Sequence, residues 1–344
     1  MLSQDQPATA AKGTILSGMR PTGKLHLGNY LGALENWVNL QQDYRCIYSI
    51  VDVHALTTVE DPGDVANIQP NIHEMALDWL AAGVDPEQSI VFIQSHVPEV
   101  MALHTLLSMV TPLGWLLRVP TFKEKVRQMD ETEESVNYGL VGYPVLQTAD
   151  IIIYKADTVP VGQDQLPHLE LAREIVRRFN YRFGDTFPEP QAKLTEAPLI
   201  LGLEGQQKMS KSLDNHIDLA STPEETTQRV LTAFTDPQRQ RRSDPGRPEV
   251  CNVYSLHKIF SPSQDVSQVY DECTGAQRGC VDCKRHLAGS INTFLEPLRE
   301  RRRELEEKPD YVKEVLSEGG KRARAIARET MSEVYEKMGL GQMV

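Results

Sequence analysis

Two segments of this chain carry residues that could bind a polyphosphate, and about 180 positions separate them. The first, residues 21–29, combines glycines with His26. The second, residues 208–212, sets Lys208 and Lys211 among Met209, Ser210 and Ser212. A glycine cradle joined by a distant, mobile lysine pair suits nucleotidyl transfer from ATP, because charge develops as pyrophosphate leaves. The two segments together predict adenylate chemistry.

The first segment is expected to lie between a strand and a helix. Its glycines allow the backbone to approach a ligand, and Gly28-Asn29 lies where a helix N-terminus would present free N–H groups to anionic oxygen. His26 could donate a hydrogen bond to the leaving phosphate, and Arg20 could add a permanent charge. The alternative is a glycine-rich turn with a surface histidine.

The second segment carries flexible point charges that could follow phosphates through a transition state, while Met209 could cover an adenine face. The alternative is a solvated lysine turn.

Composition sets the wider limits. The chain has 344 residues, 40% of them apolar and 24% charged, which favours two domains. A net charge of −12 argues against a protein coated by nucleic acid, although a local basic patch could still hold phosphates. No apolar stretch reaches the length of a membrane span, and residues 1–12 are polar, so we expect a cytoplasmic protein with a short disordered N-terminus.

Buried strands are predicted at four apolar runs, residues 14–16, 46–51, 89–93 and 151–154. Amphipathic helical patterns lie between them, around residues 31–40 and 72–80. This alternation predicts an α/β fold, a Rossmann-like parallel sheet covered by helices, with ligands at the carboxyl ends of the strands.

From about residue 213 the strand signals fade and a helical domain is predicted. Thr222 to Glu225 has the pattern of a helix start, and residues 311–338 are helical in pattern with a break at Gly319-Gly320. The polar stretch 236–248 is predicted to be a loop.

Four of the five cysteines form one further group, Cys251, Cys273, Cys280 and Cys283. Four thiolates within 33 residues can occupy one tetrahedral centre, either a [4Fe-4S] cluster or Zn²⁺. The alternative is a set of free thiols in helices. Cys46, inside a strand pattern, is predicted to be a core residue.

The two phosphate-binding segments, with His26-Leu27-Gly28-Asn29 before Lys208-Met209-Ser210-Lys211-Ser212, resemble the paired signatures of class I aminoacyl-tRNA synthetases. The segments 18–30, 143–150 and 159–165 are similar to those of bacterial tryptophanyl-tRNA synthetases, and the similarity runs through nearly the whole chain. The four-cysteine spacing resembles a subset of that family with a [4Fe-4S] cluster in the helical domain, which favours iron–sulfur over zinc.

The resemblance implies roles for individual residues. Asp150 should accept a hydrogen bond from an indole N–H, Tyr143 and Gln165 should hold the amino group, and Val159 and Val161 should pack on the indole. Gln147 and His54 complete the implied tryptophan-binding set, and His26, Asn29, Lys208, Lys211 and Lys125 are the implied catalytic residues. The implied ATP-binding residues are Arg20, Pro21, Thr22, His26, Gly28, Asn29, Gly162, Gln163, Asp164, Leu199, Lys208, Met209, Ser210, Lys211 and Ser212. Mg²⁺ is expected to arrive on the phosphates.

Several alternatives stay open at this point. Gln147, where many tryptophan enzymes have methionine, and its spacing to Tyr143 and Asp150 also resemble the substrate motif of tyrosyl-tRNA synthetases. An auxiliary paralogue with a binding or regulatory role is a second alternative, and a nucleotidylyltransferase acting on a small metabolite is a third.

The resemblance also implies partners and domain limits. The catalytic domain is expected at residues 13–212, and a helical domain that binds the anticodon of tRNA(Trp) at residues 213–344, with its last helix able to pack back on the first domain. Candidate tRNA contacts are Arg239, Arg241, Arg242 and Arg247, whereas residues 299–303 are predicted to be a solvated face. A homodimer is expected from the resemblance alone.

Overall fold

The computed structural model of the chain describes residues 11–57, 62–128, 132, 135–194 and 200–341. Residues 1–10 of the predicted disordered N-terminus and the predicted ATP-binding residue Leu199 lie outside the described residues.

The described residues contain one parallel sheet of five strands in the order β3-β2-β1-β4-β5. The strands are β1 (Thr14–Met19), β2 (Arg45–Ile50), β3 (Ser89–Ile93), β4 (Thr158–Val161) and β5 (Gln191–Leu194). β2 and β3 are almost entirely buried, as expected for parallel strands covered on both faces. The strand order reverses direction between β1 and β4, where a ligand crevice is expected in such sheets.

Fifteen α-helices occupy the rest of the described chain, and a π-helical turn (Tyr30–Leu34) joins the first two. They are α1 (Leu27–Asn29), α2 (Glu35–Leu40), α3 (Asp52–Ala55), α4 (Pro62–Ala66), α5 (Ile68–Ala82), α6 (Glu99–Ser108), α7 (Leu113–Leu116), α8 (Pro120–Gln128), α9 (Tyr138–Ile152), α10 (Leu166–Phe183), α11 (Pro223–Leu231), α12 (Asn252–Phe260), α13 (Ser263–Thr274), α14 (Cys280–Glu306) and α15 (Pro309–Lys337). The predicted fold class, a Rossmann-like parallel sheet followed by helices, is confirmed.

The predicted strand at residues 151–154 is wrong. Those residues end helix α9, which is buried on nearly every side. A fully buried helix and a fully buried strand show the same continuous apolar run, so periodicity cannot separate them. The fourth strand is instead β4, and the more polar β5 pairs with it along four positions.

The predicted break at Gly319-Gly320 is also wrong, because α15 runs through both glycines. α15 packs on β3, and a Cβ atom at Gly319 would overlap the backbone carbonyl of Val91. The glycine therefore permits close contact between helix and strand rather than ending the helix.

The predicted helix start at Thr222 is confirmed, with a capping box. The Thr222 hydroxyl accepts the Glu225 N–H at 3.1 Å, and the Glu225 carboxylate accepts the Thr222 N–H at 2.8 Å. Cys46 is a core residue as predicted. One buried apolar cluster includes Leu27 and Trp79 together with Leu287 and Leu316, so the core continues from the sheet into the helices that follow it. Within the described ranges, no helix combines the length and apolar character that crossing a membrane requires.

Candidate active site

A cavity of about 460 Å³ opens between the carboxyl ends of β1 and β4. Apolar side chains of both strands and polar side chains from α3, α8 and α9 line it. The predicted substrate-site residues among its lining are Arg20, His54, Lys125, Tyr143, Gln147, Asp150, Val159, Val161, Gly162 and Gln165. Because this is the point where strand order reverses, the cavity is where the fold is expected to bind a ligand.

Asp150 lies at the inner end of the cavity and is 5% exposed. The side-chain nitrogen of Gln94 donates to both of its carboxylate oxygens, each at 2.8 Å. The Gln94 side chain is itself held in place, because its amide oxygen Oε1 accepts the backbone N–H of His54 at 3.1 Å. Burial raises the pKa of Asp150 to about 7, the Gln94 hydrogen bond opposes that rise, and the nearby Asp52 adds to it. The site therefore holds a fixed acceptor at the end of a largely apolar cavity.

A second set of polar groups also lines the cavity. The Tyr143 hydroxyl is 2.7 Å from the Thr121 hydroxyl and 2.9 Å from Nε2 of His168. Nδ1 of His168 is 2.9 Å from Oε1, the side-chain amide oxygen of Gln165. Burial lowers the pKa of His168 to about 4, with Lys125 adding to the effect, so the ring is neutral at neutral pH. The network fixes the orientation of Tyr143 and Gln165, the two residues predicted to hold an amino group.

Positive charge reaches the same cavity from Arg20 and Lys125. The Lys125 ammonium lies 4.4 Å from the centroid of the Tyr143 ring. Burial lowers the pKa of Lys125. Burial, with Arg20 and Lys125 adding to the effect, lowers the pKa of His54 to about 3. His54 and His168 are therefore neutral at neutral pH, and the positive charge in this cavity comes from Arg20 and Lys125.

The two phosphate-binding segments lie against each other. The Lys211 ammonium donates to the Thr22 carbonyl at 2.9 Å, although 189 positions separate the two residues. A Cβ atom at Gly28 would lie 3.3 Å from Cβ of Met209, so the backbone of the first segment approaches the second closely. Lys208 is exposed, and Met209 is buried beneath it.

His26 belongs to the first of these segments and is 7% exposed. Its backbone N–H donates to the Asn29 side chain at 3.1 Å, at the start of α1. Burial lowers the pKa of His26 to about 4, and His216, Lys211 and Lys208 add to the effect. Among the described residues, Nδ1 of this neutral ring is buried without a hydrogen-bond partner. Such a ring can hydrogen-bond a phosphate oxygen while two lysines supply the charge.

The remaining predicted ATP-binding residues lie at the rim. Gly162 follows β4, and Gln163 and Asp164 begin the 3₁₀ turn Gln163–Gln165, where all three are exposed. The Ser210 N–H donates to the Asn215 side chain at 2.7 Å, and the Ser210 hydroxyl lies 3.3 Å from that of Ser212. Pro21 and Thr22 follow β1 after one intervening residue, Arg20.

No motif in the sequence assigns a role to Gln94, Thr121 or His168. Gln94 follows the buried strand β3 directly. A polar side chain at the carboxyl end of a parallel strand is a signal for a ligand site, and it could have been used. Thr121 begins to matter only through its contact with Tyr143, which no sequence pattern reveals.

The four clustered cysteines line one small cavity of about 20 Å³, together with Arg239 and Arg278. That volume is about enough for a single water molecule. An Arg239 N–H lies 3.6 Å from Sγ of Cys273, and Nε2 of His257 lies 3.6 Å from Sγ of Cys283. All four are free thiols, and in the described part of the chain no three candidate ligand side chains stand close enough to hold a metal ion.

The predicted loop at residues 236–248 forms next to this cavity and leaves two of its arginines exposed. Arg247 pairs with Asp236 at 2.6 Å, and Arg239 donates to the carbonyls of Arg242 and Arg278 at 3.0 and 2.7 Å. Arg241 and Arg242 are exposed. Arg239 and Arg247 therefore hold the loop together instead of standing free for a partner.

The predicted solvated face at residues 299–303 is wrong for two of its arginines. Arg299 is 5% exposed and donates to the Thr226 hydroxyl at 2.7 Å, whereas Arg302 is 4% exposed and bonds carboxylates of α5. The alternation of arginine and glutamate in this run therefore does not mark a fully solvated face. Two of its arginines are buried, and the guanidinium group of each has hydrogen-bond partners.

The model of the family described as class I tRNA synthetases (W and Y) matches residues 9–296. The chain belongs to this family.

Named relatives of this synthetase match along nearly its whole length. A tryptophan–tRNA ligase of Thermotoga maritima is 48% identical over 95% of this chain and 99% of that protein. One from Deinococcus radiodurans is 45% identical over 94% and 98%. Among solved structures, a tryptophanyl-tRNA synthetase of Campylobacter jejuni, complexed with ADP and tryptophan, is 35% identical with a TM-score of 0.86, covering 95% of this chain and 100% of that one.

Proposed function

We propose that this synthetase is a tryptophan–tRNA ligase, which activates L-tryptophan with ATP and transfers it to tRNA(Trp). The observation that carries the proposal is the buried Asp150 carboxylate, fixed by Gln94 at the inner end of an apolar cavity. Relatives between 37% and 48% identical, each matched over at least 94% of this chain, bear the name tryptophan–tRNA ligase. This support favours tryptophan over the tyrosine alternative.

The amino-acid end of the cavity suits an indole. Asp150 accepts the indole N–H, and Val159 and Val161 of β4 pack on the ring. A substrate without that donor leaves a buried carboxylate unpaired, which a buried site rejects strongly. Tyr143 and Gln165, held by Thr121 and His168, contact the amino group of the substrate.

The nucleotide end is formed by the two segments that meet at Lys211 and Thr22. A carboxylate oxygen of tryptophan attacks the α-phosphorus of ATP, a P–O bond to pyrophosphate breaks, and tryptophanyl-adenylate results. His26 donates a hydrogen bond to the departing phosphate, and Lys208 and Lys211 stabilise its charge. Asn29 orients His26, because the Asn29 side-chain oxygen accepts the backbone N–H of His26. Mg²⁺ carried on the phosphates supplies further neutralisation when bound.

Transfer then uses the adenylate as acyl donor. A terminal hydroxyl of the tRNA attacks the acyl carbon, its proton leaves, and AMP departs. The exposed Arg241 and Arg242 are proposed contacts for the tRNA backbone, and the affinity should fall steeply with salt if they act this way. The synthetase is further proposed to be a homodimer, which the mass of the particle in solution will test.

The four cysteines are proposed to hold a metal centre. Four thiols line one cavity with two arginines beside them, and these donor types suit such a centre, although the thiols of the described residues do not stand close enough together to hold an ion. The resemblance favours [4Fe-4S], and Zn²⁺ is the alternative. Metal analysis of the purified protein distinguishes the outcomes. Iron and sulfide in equal amounts would identify a cluster, and one zinc per chain would identify the alternative. The absence of both metals would refute the proposed centre. Cys280→Ala should lose the metal, and Cys46→Ala, a change in the core away from the cavity, should keep it.

Charging of tRNA tests the proposed activity. Purified protein should attach tryptophan, and not tyrosine, to tRNA in the presence of ATP. Charging with tyrosine alone would overturn the specificity. Adenylate formation without any tRNA charging would favour the auxiliary paralogue.

A further inference from the structure

A buried chain of hydrogen bonds links helix α14 to the first phosphate-binding segment. Arg302 of α14 bonds the Asp78 carboxylate of α5, and the second oxygen of that carboxylate accepts the Leu25 N–H at 2.7 Å. Asp78 is fully buried and Arg302 is 4% exposed. The proposed function assigns no role to Asp78 or Arg302.

Leu25 immediately precedes His26, so its position fixes that of the ring. On the other side, the Leu25 carbonyl accepts the Leu219 N–H at 2.8 Å, and the Leu27 N–H donates to the Ile217 carbonyl at 3.0 Å. Residues 217–219 follow the second phosphate-binding segment closely. The Asp78 carboxylate therefore holds one side of a short backbone pairing that brings the two segments together.

The acceptor of the Leu25 N–H is a charged carboxylate, although a buried N–H needs only a neutral acceptor. A neutral amide oxygen would satisfy Leu25, whereas a buried carboxylate demands a counter-ion. Arg302 meets that demand and also bonds the Glu74 carboxylate at 2.6 Å and the Glu306 carboxylate at 3.0 Å. The ionic contact thus ties three elements together: α5, α14 and the segment that contains His26.

Helix α14 also begins at the cysteine cavity, with Cys280 and Cys283 in its first turn. Arg302 lies 22 residues further along the same helix, about 33 Å at the rise of an α-helix. One helix therefore runs from the cysteine cavity to the contact beside the His26 backbone.

We propose that Asp78, held by Arg302, is a positioning residue for adenylate formation: it fixes Leu25, and through it His26, against the second phosphate-binding segment. The inference rests on the proposed function.

Two double variants isolate the contact in tryptophan-dependent exchange of pyrophosphate into ATP. Asp78→Asn with Arg302→Met removes both charges but keeps an acceptor for Leu25, and Asp78→Leu with Arg302→Met removes the acceptor too. We expect kcat to fall at least about tenfold in the Leu variant and less than about threefold in the Asn variant, since small misplacements at a reacting centre are costly. The KM for tryptophan should stay within about twofold of wild type in both variants, because the tryptophan cavity is untouched.

A single variant covers the case in which the Leu variant does not fold. Arg302→Lys keeps a cation beside Asp78 but loses the planar fork that bonds three carboxylates, so kcat should fall about three- to tenfold. The adjacent Arg303, which is exposed and pairs with Glu296, is the control, and Arg303→Met should leave kcat unchanged.

The outcomes separate the two hypotheses. Any one of three results overturns the role of Asp78 while leaving the proposed function intact. They are an equal kcat in the two double variants, a wild-type kcat in Arg302→Lys, and variants that differ from wild type only in the KM for tryptophan. No exchange by the wild type refutes the proposed function, and this inference falls with it.

Discussion

Gln94 donates from one side-chain nitrogen to both carboxylate oxygens of Asp150, and both distances are 2.8 Å. Gln94 is fully buried, so this contact defines the direction in which the carboxylate faces the cavity. The selective group of the site is therefore Asp150 as oriented by Gln94.

Replacement of Gln94 should weaken recognition of tryptophan and leave nucleotide binding intact. In Gln94→Leu the carboxylate loses its fixed donor, its pKa rises further, and the indole N–H meets a misaligned acceptor. We expect the KM for tryptophan to rise at least about tenfold and the KM for ATP to stay within about twofold. Gln88→Leu, at an exposed glutamine before β3, is the matched control. An unchanged KM for tryptophan in Gln94→Leu would remove Gln94 from the site.

Affinity for tryptophan should increase as pH rises through about 7. The pKa of Asp150 in the folded chain is about 7. The ionised carboxylate is the stronger acceptor for the indole N–H. His26, His54 and His168 do not titrate in this window, because burial lowers their pKa values to about 4, 3 and 4. Calorimetric titration across this range should show the increase in wild type and lose it in Asp150→Asn. A flat profile in wild type contradicts the assignment.

The stability of the ligand-free protein should respond to the same proton in the opposite direction. The folded pKa of Asp150 lies above its ordinary value of 3.8, so the folded chain holds the proton more tightly than the unfolded chain. Stability linked to this proton is complete below about pH 4 and is lost as pH rises through about 7. Denaturant titrations should show a smaller decline from about pH 5 to 8 in Asp150→Asn than in wild type. Equal declines would mean that Asp150 is ionised throughout.

Lys211 should act on the rate of adenylate formation rather than on amino-acid binding. Its ammonium already touches the first phosphate-binding segment at Thr22, far from Asp150 in the chain. In Lys211→Met we expect kcat of pyrophosphate exchange to fall about 100-fold, the size of effect seen when one transition-state donor is removed. The KM for tryptophan should not change. Lys321→Met, an exposed lysine on α15, is the control, and equal losses in kcat and tryptophan affinity in Lys211→Met would count against the role.

Gly319 should be intolerant of a methyl group, unlike a second helical glycine. A Cβ atom there overlaps the Val91 carbonyl, so Gly319→Ala must push α15 away from β3 and should lower the free energy of unfolding by about 1–3 kcal/mol or more. Gly289 lies inside α14 with open space around it. Gly289→Ala should stabilise by roughly 0.5–1 kcal/mol, because alanine favours the helix. Denaturant titration compares them, and tolerance of Gly319→Ala would contradict the close packing.

Much of the fold followed from local pattern. β2 and β3 are continuous apolar runs between helices, and the chain contains just such runs at both places. The run at residues 151–154 looks the same but belongs to a helix, since tertiary burial removes the polar face that marks most helices. β5 was not predicted because it is only four residues long and none of them is buried, so its alternation of polar and apolar residues is too short to mark a strand.

The candidate site was predictable where chemistry concentrates in short motifs. His26, Lys208, Lys211 and Asp150 could be named from sequence. The position of Gln94 at the end of β3 is a signal for a ligand site, but its contact with Asp150, 56 positions away, is visible only in the fold. Arg302 carries no such signal, because its partner Asp78 is 224 positions away. An arginine in a charged helical run looks exposed until the fold places carboxylates around it.

Pyrophosphate exchange into ATP, measured with each amino acid in turn, tests the central claim most directly. If the two phosphate-binding segments act on a triphosphate while Asp150 selects an indole, exchange should require tryptophan and should not occur with tyrosine. Exchange with tyrosine but not tryptophan, or no exchange with either, would contradict it.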